Sequence, residues 1–369
     1  MLIKGKYNQA KVFAEELEVQ TQEQIRKLCD QEFLKEEKIR VMPDAHAGIG
    51  STIGTTMTIG NQVVPNLVGV DIGCGMFTVP LGKRNVSFPA LDLYIRQHIP
   101  SGFKNHRNSQ IDYRREIESL KSLKFLGKSS KEYEKALGSL GGGNHFIEVD
   151  QDEEGNLYLI FHSGSRNMGN QVARYYQKRA EKNHLGNPDI PKDLAYLEGR
   201  EKDEYLHDMV LVQNYAKVNR EVMARKVLEE FLKLPDAMDQ GFHTIHNYID
   251  MQRKILRKGA ISAEKGEKVL IPMNMKDGCI LGEGLGNEEW NYSAPHGAGR
   301  LMSRREARRR LSMKEFSEMM ESIYSTSVSK KTIDEAPLAY KPMEEILKYI
   351  HPTVRIIKHL TPIYNFKAS

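Results

Sequence analysis

The stretch NHFIEVDQDEEGNLYLIFHSGSR, residues 144–166, holds two β-prone runs on either side of Glu154-Gly155-Asn156. Gly and Asn supply the turn conformations that close a β-hairpin. His145 opens the first run and His162 closes the second. Outward from this hairpin, helical and strand blocks follow one another irregularly. Residues 8–38 carry Leu, Ile and Phe at helical spacing and read as helix, 39–82 as short strands between glycines, and 89–137 as charged helix. Residues 168–234 read as helix interrupted near Gly186-Asn187-Pro188, 255–283 as strand, 303–322 as helix and 353–366 as a last strand. There is no regular βαβ rhythm, internal repeat or Gly/Ser linker. The expectation is one large α+β domain over residues 1–369, with mixed β-sheets flanked by helices.

Composition narrows the class. The 369 residues are 40% apolar and 28% charged, with a formal net charge of +5, values typical of globular chains. Three cysteines (Cys29, Cys74, Cys279) cannot build a disulfide framework, which fits a reducing compartment. The start MLIKGKYNQAKVF has no leader-like apolar segment, and the most apolar stretch, residues 63–81, is broken by Pro65, Asn66, Asp71 and glycines. A cytoplasmic protein with no membrane partner is therefore expected. Basic residues crowd 104–135 and again Arg300–Arg310. Such clusters raise local affinity for phosphate, although the first is offset by glutamates in the manner of a solvated helix face.

Glycine-rich segments frame most of the residues that carry chemistry. In Gly69-Val70-Asp71-Ile72-Gly73-Cys74-Gly75-Met76, Asp71 and Cys74 are a plausible pair for a divalent metal, or a turn aspartate beside a buried structural cysteine. The loop Gly141-Gly142-Gly143 allows close backbone approach to a phosphate or metal, with Asn144 offering an amide and Glu148 placed on the opposite strand face from His145. Ser163, Ser165 and Arg166 are a common mix for holding phosphate oxygens. His243 and His246 share a face if their segment is helical. His296, between Pro295 and Gly297-Ala298-Gly299, is either a helix-capping residue or a nucleophile towards phosphorus. His46, in Pro43-Asp44-Ala45-His46, resembles these sites without a clear partner. Walker A, Rossmann and Cys-x-x-Cys patterns are absent.

Taken in order, PDAHAG, GVDIGCGM, GGGNHFIEV, HSGSR, HNY and SAPHGAGRLMSR closely resemble the RtcB-type RNA-splicing ligases, from about residue 40 to Asn365-Phe366-Lys367. The resemblance implies a single α+β domain of that family's own type. It further implies a ligase dependent on GTP and Mn2+ that joins RNA ends bearing a 2′,3′-cyclic phosphate or 3′-phosphate to 5′-hydroxyl ends. It would make Cys74 a bridge between two ions, with Asp71 and His145 on one and His162 and His246 on the other. It would make His296 the guanylylated nucleophile. Asn144, His145, Phe146, Ile147, Glu148, His246, Asn247, His296, Gly297, Ala298, Gly299 and Lys367 would line the GTP site, with Tyr340, Arg300 and Arg166 as further contacts. A Cys/His ligand set by itself suits zinc, so manganese follows from the resemblance alone.

One loop departs from the family. Many members carry Pro-Gly-Ser-Met-Gly where this chain has Pro272-Met273-Asn274-Met275-Lys276-Asp277-Gly278-Cys279. By position the resemblance would make Pro272, Met273, Asn274, Met275 and Cys279 nucleotide contacts. Residues 100–137 are expected to form an insertion-like helical region that contacts RNA. Two alternatives accompany the ligase reading: a branch that hydrolyses cyclic phosphates with little joining, and a non-catalytic RNA-binding or translation-associated factor on the same scaffold.

Overall fold

In the computed structural model, which describes residues 1–368, the hairpin forms between Phe146–Gln151 and Leu157–Ser163, with Phe146 opposite His162 and Gln151 opposite Leu157. Asp152 closes its turn, Oδ1 accepting from the backbone N–H groups of Glu154 and Asn156, as an Asx turn does. Every residue of the second strand is buried. Leu157, Leu159 and Phe161 pack on one side with Leu91, Ile95 and Leu228. Tyr158 and Ile160 pack on the other with Met76, Leu270 and Leu281. Two covered faces explain why this run is apolar without alternation.

Around the hairpin the chain order is β1 (Leu2–Lys4), β2 (Gln9–Val12), α1 (Val19–Cys29), β3 (Ile39–His46), β4 (Ile53–Thr58), β5 (Gly75–Gly82) and α2 (Phe88–His98). Then come α3 (Arg114–Glu118), α4 (Ser130–Glu134), the hairpin β6 and β7, α5 (Arg166–Asn183) and α6 (Gly199–Arg225). The strands β8 (Phe242–Ile245), β9 (Asn247–Asp250), β10 (Ile255–Lys258), β11 (Ala260–Ser262), β12 (Lys268–Asn274), β13 (Gly278–Gly284) and β14 (Ser293–Pro295) follow. The helices α7 (Arg304–Arg310), α8 (Met313–Met319) and α9 (Met343–Ile350) precede β15 (Val354–Lys367). Three sheets result: β1-β2-β3-β4-β10-β9, the pair β11-β14, and β12-β13-β15-β6-β7-β5-β8. The first is mixed through the parallel β2–β3 pair, and the others are antiparallel. The architecture is α+β.

Three block readings need correction. Residues 8–38 are helical only over α1 and a 3-10 turn at Glu32–Leu34, whereas Gln9–Val12 is a strand that buries Ala10 and Val12 on alternate positions. Residues 89–137 hold α2, α3, α4 and a 3-10 turn at Leu123–Phe125, with loops between. Residues 303–322 are two short helices, each begun by a serine (Ser303, Ser312) that accepts a backbone N–H three residues on, the usual stop-and-restart chemistry. The segment His243–His246 is strand, not helix: β8 ends at Ile245. Three residues apart on extended chain point to opposite sides, so His243 stacks on Phe77 while His246 faces His162.

Helix α6 fastens the loops around the hairpin. Asn219 is fully buried. Its Oδ1 accepts from Gly138 and Ser139 N–H, and its Nδ2 donates to Ser139 O, Ser163 Oγ and Gly164 O. Arg220 Nη1 donates to Gly73 O and Ser163 O at 2.8 and 2.7 Å. Loops that hold Cys74, His145 and His162 thus share one anchor. Removing a buried partner leaves several polar groups unpaired at about 1–3 kcal/mol each. Asn219→Ala is therefore expected to lower the melting temperature by roughly 5–10 °C in a calorimetric scan. A shift within about 1 °C would contradict the anchor role.

Candidate functional site

The face of the large sheet that carries Phe146 and His162 also presents Glu148 from β6 and, across the β15 register, Asn365 and Lys367. Cys74 sits just before β5, and His246 lies where the chain leaves β8 for β9, passing from the large sheet to the mixed sheet. Asp44 comes from β3 and His296 follows β14. The site therefore lies where the sheets meet. A cavity of about 370 Å³ opens there.

Donor atoms converge on Cys74. Its Sγ is 3.4 Å from both His145 Nε2 and His162 Nε2. His145 Nε2 is 3.1 Å from Asp71 Oδ2, and His162 Nε2 is 3.5 Å from His246 Nε2. The outer nitrogens fix the tautomers. His145 Nδ1–H donates to Leu140 O and His162 Nδ1–H to Asn144 O, which leaves both Nε2 lone pairs turned inward. Burial holds the imidazoles of His162 and His246 in the neutral, ligating form and pushes the Cys74 thiol up. Lone pairs and a thiol gathered this closely fit a cation, which also supplies the charge that stabilises a thiolate. Gly164 is required beside them, because a Cβ there would come within 2.1 Å of Asp71 Oδ1.

His296 stands next to this group, its ring 5.0 Å from that of His246. Asp44 Oδ2 accepts from His296 Nδ1 at 2.6 Å and from His296 N–H at 3.1 Å. The aspartate is fully buried, and the imidazole is partly open to the cavity. In the neutral ring this contact places the proton on Nδ1 and leaves the Nε2 lone pair free. Gly299 adopts φ +75° beside it, and a Cβ there would lie 2.3 Å from Asp44 O, so the Gly-x-Gly turn is what lets Asp44 and His296 approach.

The far wall is an ion-paired group. Glu335 accepts from Tyr340 Oη and pairs with Arg300, Arg304 and Lys367. Arg300 also lies over the Tyr340 ring at 5.0 Å. Burial works against the Glu335 charge, yet Lys367 and Arg304 hold its carboxyl down at about 2. Beneath the cavity, Glu148, Asp150 and Cys279 form a buried acidic group. Burial pushes the Glu148 carboxyl up to about 7 and Asp150 well above its usual range, with each raised carboxyl close to the other.

Of the residues singled out in the sequence, Asp71, Cys74, Asn144, Phe146, Glu148, His162, His246 and Asn247 line the cavity. So do Pro272, Met273, Asn274, Met275, His296, Gly297, Ala298, Gly299, Arg300, Tyr340 and Lys367. His145 stands behind Asp71. Ile147 turns away into the core with Phe161, because neighbouring strand residues alternate sides. Cys279 is buried against Glu148, 4.0 Å from its Oε1, and does not line the cavity. Ser163 is committed to Leu140 O and Asn219, and Arg166 lines a different cavity. His46 lines the main cavity; burial lowers its pKa to about 4, and its Nδ1 meets Asp44 O. Sequence reasoning missed Asp44, Lys258 and Glu335, the last of which no motif marks. Asp44 was visible only as part of Pro-Asp-Ala-His. Lys258 lines the cavity and donates to Ile49 O, Ser51 Oγ and Asn66 O, with nothing local to mark it.

The sequence matches the family described as tRNA-splicing ligase RtcB over residues 24–368. It is 31% identical to RNA-splicing ligase RtcB of Escherichia coli strain K12, covering 89% of this chain and 90% of that protein. It is 29% identical to tRNA-splicing ligase RtcB of Aeropyrum pernix, covering 88% and 86%, and 28% identical to that of Nanoarchaeum equitans, covering 89% and 87%.

The acidic group beneath the cavity has a pH signature. A carboxyl whose folded pKa is raised contributes stability below its unfolded value, near 4.3 for Glu, and loses it as pH rises through the folded value. For Glu148 that window ends at about 7. The unliganded protein should therefore lose thermal stability between about pH 4 and 7. Asp150→Asn should flatten the loss and raise the melting temperature at pH 8 by about 2–4 °C. Superimposable profiles for the two proteins would contradict the assignment.

Proposed function

The chain belongs to the family of RtcB tRNA-splicing ligases and is an RNA ligase, and from that premise we propose that it joins RNA ends through a guanylylated His296. The substrates are RNA ending in a 2′,3′-cyclic phosphate or 3′-phosphate, RNA beginning with a 5′-hydroxyl, and GTP. The observation that carries the reading is the orientation of His296, whose Nδ1 is held by Asp44 so that Nε2 faces the cavity.

The neutral Nε2 attacks the α-phosphorus of GTP, a P–N bond forms, and the bond to the β-phosphate oxygen breaks to release pyrophosphate. Positive charge developing on the imidazole is offset by the Asp44 carboxylate, as in other carboxylate–histidine pairs. After water opens the cyclic phosphate, an oxygen of the RNA 3′-phosphate attacks the same phosphorus and breaks the P–N bond, returning His296 to its neutral form. The 5′-hydroxyl then attacks the 3′-phosphorus, and GMP leaves as the phosphodiester forms. Asp71, Cys74, His145, His162 and His246 would hold the two Mn2+ ions. Bound there, such ions offset the charge of the triphosphate and of the leaving groups.

The nucleotide lies between the Gly297-Ala298-Gly299 backbone and the wall formed by Phe146, Glu148, Asn365 and Lys367. Carboxyl oxygens of Glu148 can accept from the two N–H donors on the edge of guanine, a pattern adenine lacks. This favours GTP in spite of the altered 272–279 loop. The three cysteines are free thiols and no helix among the described residues is long and apolar enough to cross a membrane. The free thiols suit a reducing compartment such as the cytoplasm.

Incubation with GTP and Mn2+ should add a GMP-sized increment to the intact mass, whereas ATP, CTP and UTP should not. His296→Ala should abolish the increment. Asp44→Asn should slow its appearance by about 10²-fold or more, and chelation of divalent ions should stop it. Labelling that persists in His296→Ala would overturn the nucleophile assignment.

A further inference from the structure

A second, larger cavity of about 1000 Å³ lies beside the nucleotide site. The Gly-rich loop before β6 separates them: Gly142 and Gly143 line the second cavity, while Asn144 lines the first. Arg304 borders both. Seven cationic side chains and three carboxylates line the second cavity, a surplus close to the net +5 of the whole chain. The carboxylates are already engaged. Asp334 and Glu335 hold Arg304, with Arg308 also on Asp334, and Glu132 caps the start of α4. Lys104, Lys128, Arg174 and Lys331 have no carboxylate partner among the described residues. Arg166 is fixed only to Ser139 Oγ and Gly102 O.

The rim carries a different chemistry. Phe103 is exposed to the full extent of its side chain, and the amides of Asn105, Asn167 and Gln171 line the cavity near it. Unpaired cations, an exposed aromatic face and neutral amides are the three elements that hold a single-stranded nucleic acid: phosphate neutralisation, base stacking and contact with base or ribose edges. The walls come from separated parts of the chain, with Phe103, Lys104 and Lys128 from residues 100–137, Arg174 from α5 and Lys331 from beyond α8. That first segment is fastened to α6, where Asp208 accepts from the N–H groups of Lys121 and Ser122, so its cations are held against a fixed wall.

We infer that this cavity is the track for the RNA strand that ends in phosphate, with Phe103 stacking on a base and the terminus passing Arg304 to reach His296. The phosphate-ended strand is the one assigned because it brings the greater negative charge to the end that must enter the cation-rich side. The inference rests on the ligase reading and adds the path and polarity of its substrate.

The test compares the full-length protein with the triple variant Lys104→Gln/Lys128→Gln/Arg174→Gln and with Phe103→Ala. Two single-stranded RNA oligonucleotides of one sequence are used. One ends in a 3′-phosphate, and the other has a 5′-hydroxyl and a 3′-hydroxyl. Binding is followed by fluorescence anisotropy between about 50 and 200 mM salt. For the 3′-phosphate oligonucleotide the triple variant should bind about tenfold more weakly or worse, with a salt slope shallower by about 2. Phe103→Ala, which removes no charge, should weaken binding about fivefold or more and leave the slope unchanged. The GMP increment on His296 should match the unaltered protein in both variants. Unchanged affinity and slope, or losses confined to the oligonucleotide without phosphate, would overturn the track while leaving the nucleotide chemistry in place. Failure of the unaltered protein to form the adduct would instead strike the ligase mechanism.

Discussion

A ring of unprotonated donor atoms buried around one thiol is the constraint from which the rest of the molecule follows. His145 Nε2 and His162 Nε2 face Cys74 Sγ because their outer nitrogens are spent on the carbonyls of Leu140 and Asn144. Such an arrangement costs free energy without a cation, since neutral lone pairs in a dry site have lost water and gained no proton. The scaffold must therefore impose it. Helix α6 does so through Asn219 and Arg220, and the hairpin register does so by setting Phe146 opposite His162.

Charge placement around the cavity divides the labour. On one side Asp44 is committed to His296, which fixes both the tautomer and the direction of the free nitrogen. On the opposite side Glu335 gathers Arg300, Arg304 and Lys367. Its carboxyl, held down at about 2, makes a contribution to stability that is full above the ordinary glutamate value and is lost progressively as pH falls from there through that low value. Positive groups so anchored keep fixed places on the cavity wall. The Glu148–Asp150–Cys279 group runs against this trend, because three acids share a buried space with Lys367 turned to Glu335 instead.

Much of the site was legible in the sequence and some of the fold was not. Asp71, Cys74, His145, His162 and His296 stand beside glycines, and glycine marks backbone that must pass close to something. The strand β2 was hidden because four residues of period two cannot outweigh a surrounding helical pattern rich in Glu, Gln and Lys. His243 and His246 were misplaced for a related reason: a spacing of three reads as one helix face, but in β8 it separates one histidine towards Glu221 from another towards the cavity. Asp44 escaped notice because its partner lies 252 residues away, and no local pattern encodes a contact between β3 and the turn after β14. Ile147 and Cys279 show the converse error, in which membership of a motif was taken for exposure to the cavity.

The central claim is that the Cys74 cluster binds cations beside His296, and anomalous diffraction from crystals soaked in Mn2+ addresses it directly. The account predicts two anomalous peaks on either side of Cys74 Sγ, one within bonding reach of Asp71 and His145, the other of His162 and His246. Absence of density at Cys74, or a single peak among Glu148, Asp150 and Cys279 instead, would contradict it.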